Sequence, residues 1–395
     1  MDKPVKVVII GTGARAIAFC KFIADEPKMV KLIAVVDVNM RKAQVLIDRF
    51  NLVADVSDDV EKTIRRDDID AVMISTPDYA HVLPAILALQ MNKHLYIEKP
   101  LATTLEACDA IIEAARNSKA ICYLGFNMRH IVLYEKIHSF VQEGMLGKIT
   151  TIEANEWYYG GKSYFRRWNR FRKYSGGLWL TKACHDFDII NWIAGGRPIS
   201  VYAVCNLSCY KLIPGAGPRC RDCAIRQTCP DFYDINKPLD NWFDEIWRQL
   251  QLTMEQDGSA APDICLFNSE KDTFDNGMAL IEYDNDVRAS YTVNVVASRN
   301  TRQIRVNGTE GMVEGDIEEG WLRVVQRHTG KVSEYDLDND IKGTHFGADE
   351  KIFTDFFKIC NNGGQPRSGL LNGRVAVQIS VAAQESCDKA MRISL

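Results

Sequence analysis

Residues 5–25, VKVVIIGTGARAIAFCKFIAD, decide the fold of the N-terminal third of the chain. They predict an apolar strand, a glycine turn and an amphipathic helix. Gly11, Gly13 and Ala16 fit the pattern G-x-G-x-x-G/A, in which small residues permit a tight turn and the close approach of a pyrophosphate. The free N–H groups of a helix N-terminus then face the phosphates. We expect the turn to bind a dinucleotide through Gly11, Thr12, Gly13, Ala14 and Arg15.

A second apolar run, KLIAVVDVN at residues 31–39, contains Asp37 near its end. An acidic residue about twenty positions after the glycines is typical of the group that hydrogen-bonds the adenosine ribose. Its carboxylate would repel a ribose 2′-phosphate, which favours NAD over NADP. Arg15 and Arg41 lie close enough in sequence to keep NADP as the less favoured alternative. The competing interpretation is a strand, turn and helix followed by an unrelated acidic loop residue.

Strands and helices continue to alternate up to residue 126. LVADVS, IDAVMIST, HLYIE and AICYLGFN are predicted strands, and the segments between them are predicted helices. This alternation predicts a doubly wound parallel sheet, whose ligands bind beyond the carboxyl ends of the strands. The segments TPDYAH (76–81), EKP (98–100) and GFNMRH (125–130) follow such ends. From them we assign these residues to the cofactor site: Thr76, Pro77, His81, Glu98, Lys99 and Asn127.

Size and composition narrow the class of protein. A chain of 395 residues exceeds what one hydrophobic core usually supports, so we expect two domains. The net charge of −4 gives no basic field for nucleic acid or acidic membranes, and no apolar run is long enough to span a bilayer. The N-terminus enters a strand almost at once, without the features of a signal peptide. We expect a cytoplasmic protein.

The ordered segments IIGTGARA, STPDYAHVLPAILAL, HLYIEKPLATT and GGLWLTKACHDFDIINWI resemble the Gfo/Idh/MocA (glucose–fructose oxidoreductase/inositol dehydrogenase) family. The resemblance implies an NAD-binding Rossmann domain over residues 1–126. It also implies an α/β domain over residues 127–395, built on a large, mostly antiparallel open sheet that often makes oligomer contacts. We therefore expect a homodimer or homotetramer. The implied chemistry is reversible hydride transfer between NAD(P) and a hydroxyl or keto carbon of a sugar, cyclitol or glycoside.

The resemblance also assigns two catalytic residues. Lys99 of the EKP segment would contact the hydroxyl that is oxidised, and His185 would accept its proton. An ammonium group stabilises a developing alkoxide, and histidine can accept and return a proton near neutral pH. The alternatives are a surface pair of Glu98 with Lys99, worth about 0–1 kcal/mol, and a core histidine.

The segment around His185 departs from the family pattern. Family members carry an aspartate four residues before the histidine, where this chain has Thr181, with Lys182 beside it. We assign Thr181 to substrate contact and Lys182 to the catalytic group as a second substrate anchor, with a solvated helix position as the alternative. Lys182 should lower the pKa of His185 by like-charge repulsion.

The same segment, residues 176–196, predicts one helix that begins at Gly177, and its spacing places four residues on one face. These are Thr181, His185, Asp188 and Trp192. Asp188 is assigned to the substrate site, where it would orient His185 or simply cap local structure. Tyr79, Arg129 and Tyr158 are further substrate candidates, and residues 155–177 combine aromatic and basic residues that suit a polyol.

A cysteine-rich insert occupies residues 205–233. Its C-x10-C-x2-C-x5-C spacing predicts a structural Zn²⁺ site. The predicted ligands are Cys209, Cys220, Cys223 and Cys229, with Cys205 left over. An iron–sulfur cluster, a disulfide and packed free thiols remain open as alternatives.

Two other functions remain open. A glycosidase with tightly held NAD could oxidise, eliminate, rehydrate and reduce, with Tyr158, Tyr159 or Lys182 as the extra base. A non-catalytic NAD-responsive regulator on the same fold is the third interpretation; the intact Lys99 and His185 argue against it.

Overall fold

The computed structural model describes residues 3–256, 261–337 and 344–395. The strands are β1 (Val5–Ile10), β2 (Val30–Val36), β3 (Asp55–Ser57), β4 (Ala71–Ile74), β5 (His94–Ile97), β6 (Cys122–Leu124), β7 (Ile149–Trp157), β8 (Pro198–Asn206), β9 (Asn276–Tyr283), β10 (Arg288–Asn294), β11 (Gln303–Gly308), β12 (Gly311–Asp316), β13 (Trp321–Gln326), β14 (Val332–Asp336) and β15 (Ile393–Ser394). The helices are α1 (Ala14–Asp25), α2 (Met40–Arg49), α3 (Val60–Ile64), α4 (Val82–Gln90), α5 (Leu105–Arg116), α6 (Val132–Gln142), α7 (Arg172–Ser175), α8 (Leu178–Thr181), α9 (Cys184–Ala194), α10 (Trp242–Gln256), α11 (Ala348–Asn362) and α12 (Leu370–Lys389). Short 3₁₀ helices cover Asp78–Ala80, Asn127–His130, Tyr159–Arg166, Trp168–Arg170 and Thr344–Gly347.

The first sheet is the predicted doubly wound parallel sheet. Its order is β3-β2-β1-β4-β5-β6, and every pairing in it is parallel. This is the strand order of dinucleotide-binding folds, in which the order of the strands reverses between β1 and β4. The central strand β4 is buried at all four positions because helices cover both faces of the sheet. The sequence prediction for this part of the chain is confirmed.

The second sheet has nine strands in the order β14-β13-β12-β11-β7-β10-β9-β8-β15. Only β7 and β10 pair in parallel, and the other neighbours are antiparallel. One face packs against helices that include α9 and α12, and residues on the other face remain exposed, such as Met278 and Leu280. The predicted large, mostly antiparallel open sheet is therefore confirmed.

The C-terminal helices return to the first sheet. Phe353, Phe356 and Phe357 of α11 share one apolar cluster with α1 and β1. On the opposite side, Gly373 of α12 lies so close to β6 that an added Cβ would come within 2.5 Å of the Leu124 side chain. The two sequence segments are thus interleaved in space, and residues from beyond 340 can reach the cofactor edge.

The segment 176–196 forms two helices and not the single predicted helix. α8 ends at Thr181 and α9 begins at Cys184, with Lys182 at φ −110° and ψ −58° between them. Lys182 therefore lies between the two helices and belongs to neither. Among the described residues no helix is long and apolar enough to cross a membrane.

Candidate active site

The glycine turn has the conformation that a phosphate-binding turn requires. Gly11 has φ +90°, and a Cβ on it would come within 2.6 Å of the Thr76 main-chain nitrogen. A Cβ on Gly13 would lie 3.0 Å from the Ser75 carbonyl oxygen. α1 then begins at Ala14 without a side-chain cap, so its first N–H groups face the edge of the sheet. These residues fit a dinucleotide pyrophosphate.

Asp37 lies beside that turn, as the sequence predicts. Its Oδ2 accepts hydrogen bonds from the Thr12 main-chain N–H at 2.8 Å and from the Thr12 hydroxyl at 2.5 Å. Lys42 Nζ is 3.6 Å from the same oxygen. The carboxylate is therefore fixed at the end of β2, where a ribose would lie, with one ammonium group near it.

Arg15 contacts carboxylates instead of standing free for a phosphate. Its Nε donates to Glu98 Oε1 at 2.8 Å, and its two terminal nitrogens donate to Asp349 at 2.8 Å each. Asn127 Nδ2 donates to Asp349 Oδ1, also at 2.8 Å. This cluster ties the glycine turn, the end of β5 and the start of α11 together. Sequence reasoning missed Asp349, which is 334 residues from Arg15.

His81 lies between the segments that follow β4 and β5. It is fully buried, its Nδ1 lies 2.8 Å from the Pro100 carbonyl oxygen, and its Nε2 lies 3.2 Å from that of Thr76. Both ring nitrogens are thus used between the segments that follow β4 and β5. The assignment of His81 to the cofactor site stays a prediction. Pro77 begins the 3₁₀ turn between these two residues.

Lys99 is positioned by the break between α8 and α9. Its Nζ donates to the Thr181 carbonyl oxygen at 2.9 Å. Burial disfavours the ammonium form, but the ionisable groups around it, which include Asp78, outweigh burial and raise the pKa of Lys99. Burial also raises the pKa of Asp78 to about 7, against the opposing effect of Lys99. Asp78 is a polar residue of this cleft that sequence reasoning did not select.

His185 lies on α9 and is 9% exposed. Its Nδ1 has no hydrogen-bond partner among the described residues. Burial lowers the pKa of His185 well below its usual value, and the positive charges of Lys99, Arg302 and Lys182 lower it further. Lys182 therefore lowers the pKa of His185, in the direction that the sequence predicts. The imidazole is neutral at pH 7 and can accept a proton.

Lys182 belongs to a buried network of four charges. Its Nζ is 2.7 Å from Glu156 Oε1, and Arg302 lies 2.7 Å from the other oxygen of Glu156 and 3.1 Å from Asp186. Burial raises the pKa of Asp186 to about 6, while Arg302 opposes the shift. Thr181 replaces the aspartate of the family pattern, but Glu156 on β7 places a carboxylate beside the neighbouring Lys182. Sequence reasoning missed Glu156, Asp186 and Arg302.

Arg129 and Asp188 bind each other. Arg129 Nε and Nη2 donate to the two Asp188 oxygens at 2.7 and 2.6 Å, and its Nη1 donates to the Arg367 carbonyl oxygen. The side chains are 5% and 2% exposed. Both oxygens of Asp188 are engaged by Arg129, so Asp188 does not orient His185. Both residues line a cavity of about 400 Å³, and their assignment to the substrate site stays a prediction.

Aromatic rings line the outer part of the cleft. The ring of Tyr79 lies 6.2 Å from that of Trp168 and 5.1 Å from that of Tyr174. Lys182 Nζ lies 4.0 Å from the ring centre of Tyr158. Thr181 Oγ1 accepts a hydrogen bond from Asn169 Nδ2 at 3.0 Å. Flat apolar faces beside polar groups are what a sugar site needs.

Several buried polar atoms around this edge lack a partner within the described residues. They are Thr76 Oγ1, Asp78 Oδ2, Asn127 Oδ1, Asn169 Oδ1 and His185 Nδ1. A buried polar atom without a hydrogen bond costs about 1–3 kcal/mol, so such atoms call for a partner. Their positions after β4, after β6 and on the helices above them outline a cleft for a polar ligand.

The cysteines do not form the predicted set. Cys220, Cys223 and Cys229 line one cavity together with Cys265, whereas Cys209 is exposed and does not line it. Within the described ranges, no group of three or more His, Cys, Asp or Glu side chains is arranged to hold a metal ion. The zinc assignment stays a prediction.

The fold and this cleft define a dinucleotide-binding Rossmann protein with a second α/β domain. The family model described as "Oxidoreductase family, NAD-binding Rossmann fold" matches residues 5–126, and the model described as "Oxidoreductase family, C-terminal alpha/beta domain" matches residues 139–395. The chain belongs to the Gfo/Idh/MocA oxidoreductase family, as the sequence motifs predicted.

Curated relatives share part of the chain. The putative oxidoreductase YteT of Bacillus subtilis is 31% identical over 259 residues, which cover 62% of this chain and 60% of the relative. The inositol 2-dehydrogenase/D-chiro-inositol 3-dehydrogenase of Halalkalibacterium halodurans is 32% identical over 141 residues, 35% of this chain and 40% of the relative. The matched regions thus span less than two thirds of these relatives.

A solved structure is similar over the whole chain. Levoglucosan dehydrogenase in complex with NADH and levoglucosan has a TM-score of 0.77 and 19% identity, and the match covers 99% of both chains. At this identity the likeness establishes the fold alone.

Proposed function

We propose that this protein is an NAD-dependent dehydrogenase that transfers a hydride between nicotinamide and a hydroxyl or keto carbon of a sugar, cyclitol or glycoside. The observation that carries the proposal is the pairing of the Lys99 ammonium with a buried, neutral His185 that has an unpartnered ring nitrogen. We infer that both face the edge of the sheet at which the glycine turn would bind a dinucleotide, since Lys99 follows β5 and the ring of His185 lies 5.9 Å from that of Phe126 after β6.

The two side chains divide the work on the substrate hydroxyl. Bound NAD would supply the hydride acceptor for the carbon-bound hydrogen. The hydroxyl proton goes to the imidazole of His185, which burial and the nearby positive charges keep unprotonated. Negative charge that develops on the same oxygen is stabilised by the ammonium of Lys99, which Thr181 holds in place. In the reverse direction His185 returns the proton.

We propose NAD as the preferred cofactor because the Asp37 carboxylate lies directly after β2, where we expect the adenosine ribose to bind. A 2′-phosphate there would meet this negative charge, and Arg15 is occupied by Glu98 and Asp349. Lys42, 3.6 Å from Asp37, offsets the charge only in part. NADP remains the less favoured alternative.

The test is to measure NAD reduction across a panel of cyclitols, hexoses, uronates and glycosides. We expect turnover with at least one class, and loss of it in Lys99→Ala. Lys358→Ala is the matched control because Lys358 is an exposed lysine on α11. No redox activity on any member of the panel, or a fully active Lys99→Ala variant, contradicts the proposal. NAD that stays bound through turnover with no net NADH formed would favour the glycosidase instead.

We also propose that the open face of the second sheet joins copies of this chain. Tyr202 pairs across the strands with Leu280, and Val204 pairs with Met278. These side chains are 41–59% exposed, which leaves an apolar patch on the face away from the helices. Light scattering after gel filtration should give a dimer or tetramer, and Leu280→Glu should shift it toward monomer.

Cytoplasmic location is proposed as well, since all twelve cysteines are free thiols.

A further inference from the structure

The turn after β4 buries a carboxyl group that its neighbours compensate only in part. Asp78 begins the 3₁₀ helix Asp78–Ala80 and is 7% exposed. Its Oδ2 is buried and has no hydrogen-bond partner within the described part of the chain. Burial raises the pKa of Asp78 to about 7, although Lys99 and Thr181 act in the opposite direction. This carboxyl group therefore lacks a hydrogen-bond donor.

Thr181 joins Asp78 to the proposed catalytic lysine. The main-chain oxygen of Thr181 accepts a hydrogen bond from Lys99 Nζ at 2.9 Å. Its hydroxyl oxygen accepts one from Asn169 Nδ2 at 3.0 Å. The proton of the same hydroxyl is thus available to Asp78, whose pKa is lowered by a hydrogen bond to the Thr181 side chain. Lys99 and Asp78 therefore meet at one residue.

Asn169 adds a second unpartnered acceptor to the same wall. It is 4% exposed, and its Oδ1 is buried without a partner among the described residues, while its Nδ2 is used by Thr181. The ring of Tyr79, next to Asp78, lies 6.2 Å from that of Trp168, next to Asn169. The two turns thus pack side by side, and each carries one unpartnered oxygen.

These two oxygens require hydrogen-bond donors from a ligand. A hydroxyl group can donate a hydrogen bond and carries no charge, whereas a carboxylate or an ether oxygen only accepts. An ammonium group could donate as well, but the charges of Lys99 and Lys182 act on each other at this place and would repel a third cation. A neutral hydroxyl is therefore the group that fits this wall.

We propose that Asp78 is a specificity-determining residue that accepts a hydrogen bond from the substrate hydroxyl on the carbon next to the one oxidised. The inference rests on the proposed function, in which Lys99 stabilises the oxidised oxygen. Because Asp78 and Lys99 meet at Thr181, the hydroxyl that reaches Asp78 belongs to a neighbouring carbon. The substrate class thus narrows to sugars and cyclitols in which the oxidised carbon has a free hydroxyl beside it.

The competing role for Asp78 is that of a counter-charge for Lys99. In that role, substitution of Asp78 would slow every substrate by the same factor, because Lys99 acts on the oxidised oxygen that all of them share. A hydrogen bond to the neighbouring hydroxyl affects only substrates that carry this hydroxyl. The two roles therefore differ in whether the loss of activity depends on the substrate.

The experiment is a cycle of two enzymes and two substrates. It uses the sugar or cyclitol with the highest kcat/KM for NAD reduction, and its deoxy and O-methyl analogues at each carbon next to the oxidised one. The O-methyl analogue keeps the oxygen but cannot donate a hydrogen bond. At one of these carbons, both analogues should lower kcat/KM of the parent enzyme by about 10–100-fold, because each leaves the buried Asp78 oxygen without its donor.

The Asp78→Ala variant should show a loss of about the same size with the full substrate and almost no further loss with the deoxy analogue. Such coupling supports the proposal. Asp67→Ala is the matched control, since Asp67 is an exposed aspartate that precedes β4, at the opposite end of the strand from Asp78. It should keep the selectivity of the parent enzyme.

Two results would overturn the proposal and leave the dehydrogenase function intact. One is a set of losses that multiply in the cycle, which is the outcome for a counter-charge. The other is a parent enzyme that oxidises the deoxy analogues as well as the full substrate, a measurement that needs no variant. No turnover with any member of the panel instead contradicts the dehydrogenase function, and this inference with it. Circular dichroism reports whether Asp78→Ala is folded, and Asp78→Ser, which also lacks the carboxyl group, is the second variant.

Discussion

Asp188 and His185 lie one turn apart on α9, and their surroundings differ completely. Asp188 has both carboxylate oxygens engaged by Arg129, which also donates to the Arg367 carbonyl oxygen. His185 keeps a buried ring nitrogen without a partner in the described chain, close to Lys99 and Lys182. We call the first pair closed because its charges satisfy each other, although it lines a cavity of about 400 Å³, and we call His185 open because it keeps an unpartnered nitrogen.

The difference distinguishes a buried ion pair that stabilises the fold from a buried group that is available to a substrate. A satisfied ion pair gives nothing to a substrate, but removing one partner leaves an uncompensated buried charge. An unsatisfied group weakens the folded protein slightly and can form a new bond when a substrate arrives. Burial alone therefore identifies neither kind, and the hydrogen-bond partners decide. Substitutions in the open region should change rates, and those in the closed region should change stability.

The largest effect is expected for His185→Asn. Loss of the proton acceptor should reduce kcat by about 10²–10⁴-fold, with the melting temperature nearly unchanged. Steady-state kinetics and calorimetry measure the two quantities. His328→Asn is the control, because His328 is 68% exposed and remote from the cleft. A large drop in melting temperature at unaltered kcat would contradict this prediction, because it would show that His185 stabilises the fold and does not accept the proton.

The closed pair should show the opposite pattern in Arg129→Leu. Removing the guanidinium leaves Asp188 charged and buried, which should lower the free energy of unfolding by about 3–5 kcal/mol. Denaturant unfolding measures this change, and kcat of the folded enzyme should stay within a few-fold of the parent. Arg197→Leu, which removes a 75% exposed arginine, should leave stability unchanged. A strong loss of kcat at parental stability would contradict this prediction, because it would show that Arg129 acts in the substrate site.

A smaller change should follow Asp37→Asn. The shape of the side chain is kept while its charge is lost, and a hydrogen bond to a charged group is worth about 1.5–3 kcal/mol. The ratio of kcat/KM for NAD to that for NADP should therefore fall by about 10–100-fold. Asn39→Ala on the same loop is the control for general disturbance. An unchanged ratio would show that Asp37 does not face the ribose.

The smallest effect is a shift in the pH profile. His185 accepts a proton only when neutral, and its pKa is lowered, so oxidation should persist well below the ordinary histidine pKa of about 6.5. In Lys182→Gln one nearby positive charge is gone, the pKa rises, and the acid limb of kcat/KM should move to higher pH. A limb that stays in place, or moves to lower pH, contradicts this assignment. The neutral Gln keeps most of the side-chain volume, which makes it the conservative replacement.

Short-range patterns predicted the parallel sheet of the first third of the chain, whereas Lys99 and His185 were assigned by the family resemblance and stay predictions. The glycine turn, Asp37 and the EKP segment each follow directly from a strand, so periodicity and turn chemistry predict where they lie. The helix break after Thr181 was missed because its segment has helical spacing throughout. The ion pair of Arg129 with Asp188 was missed because the two residues are 59 positions apart and no local pattern joins them.

What the sequence by itself determined is the parallel sheet, the dinucleotide turn and the family, because these depend on residues within a few positions of one another. Only the tertiary structure decided which polar groups are satisfied. The partners of Arg15, Lys182 and Cys220 are Asp349, Glu156 and Asp263, and the folded chain alone brings such distant segments within hydrogen-bonding distance.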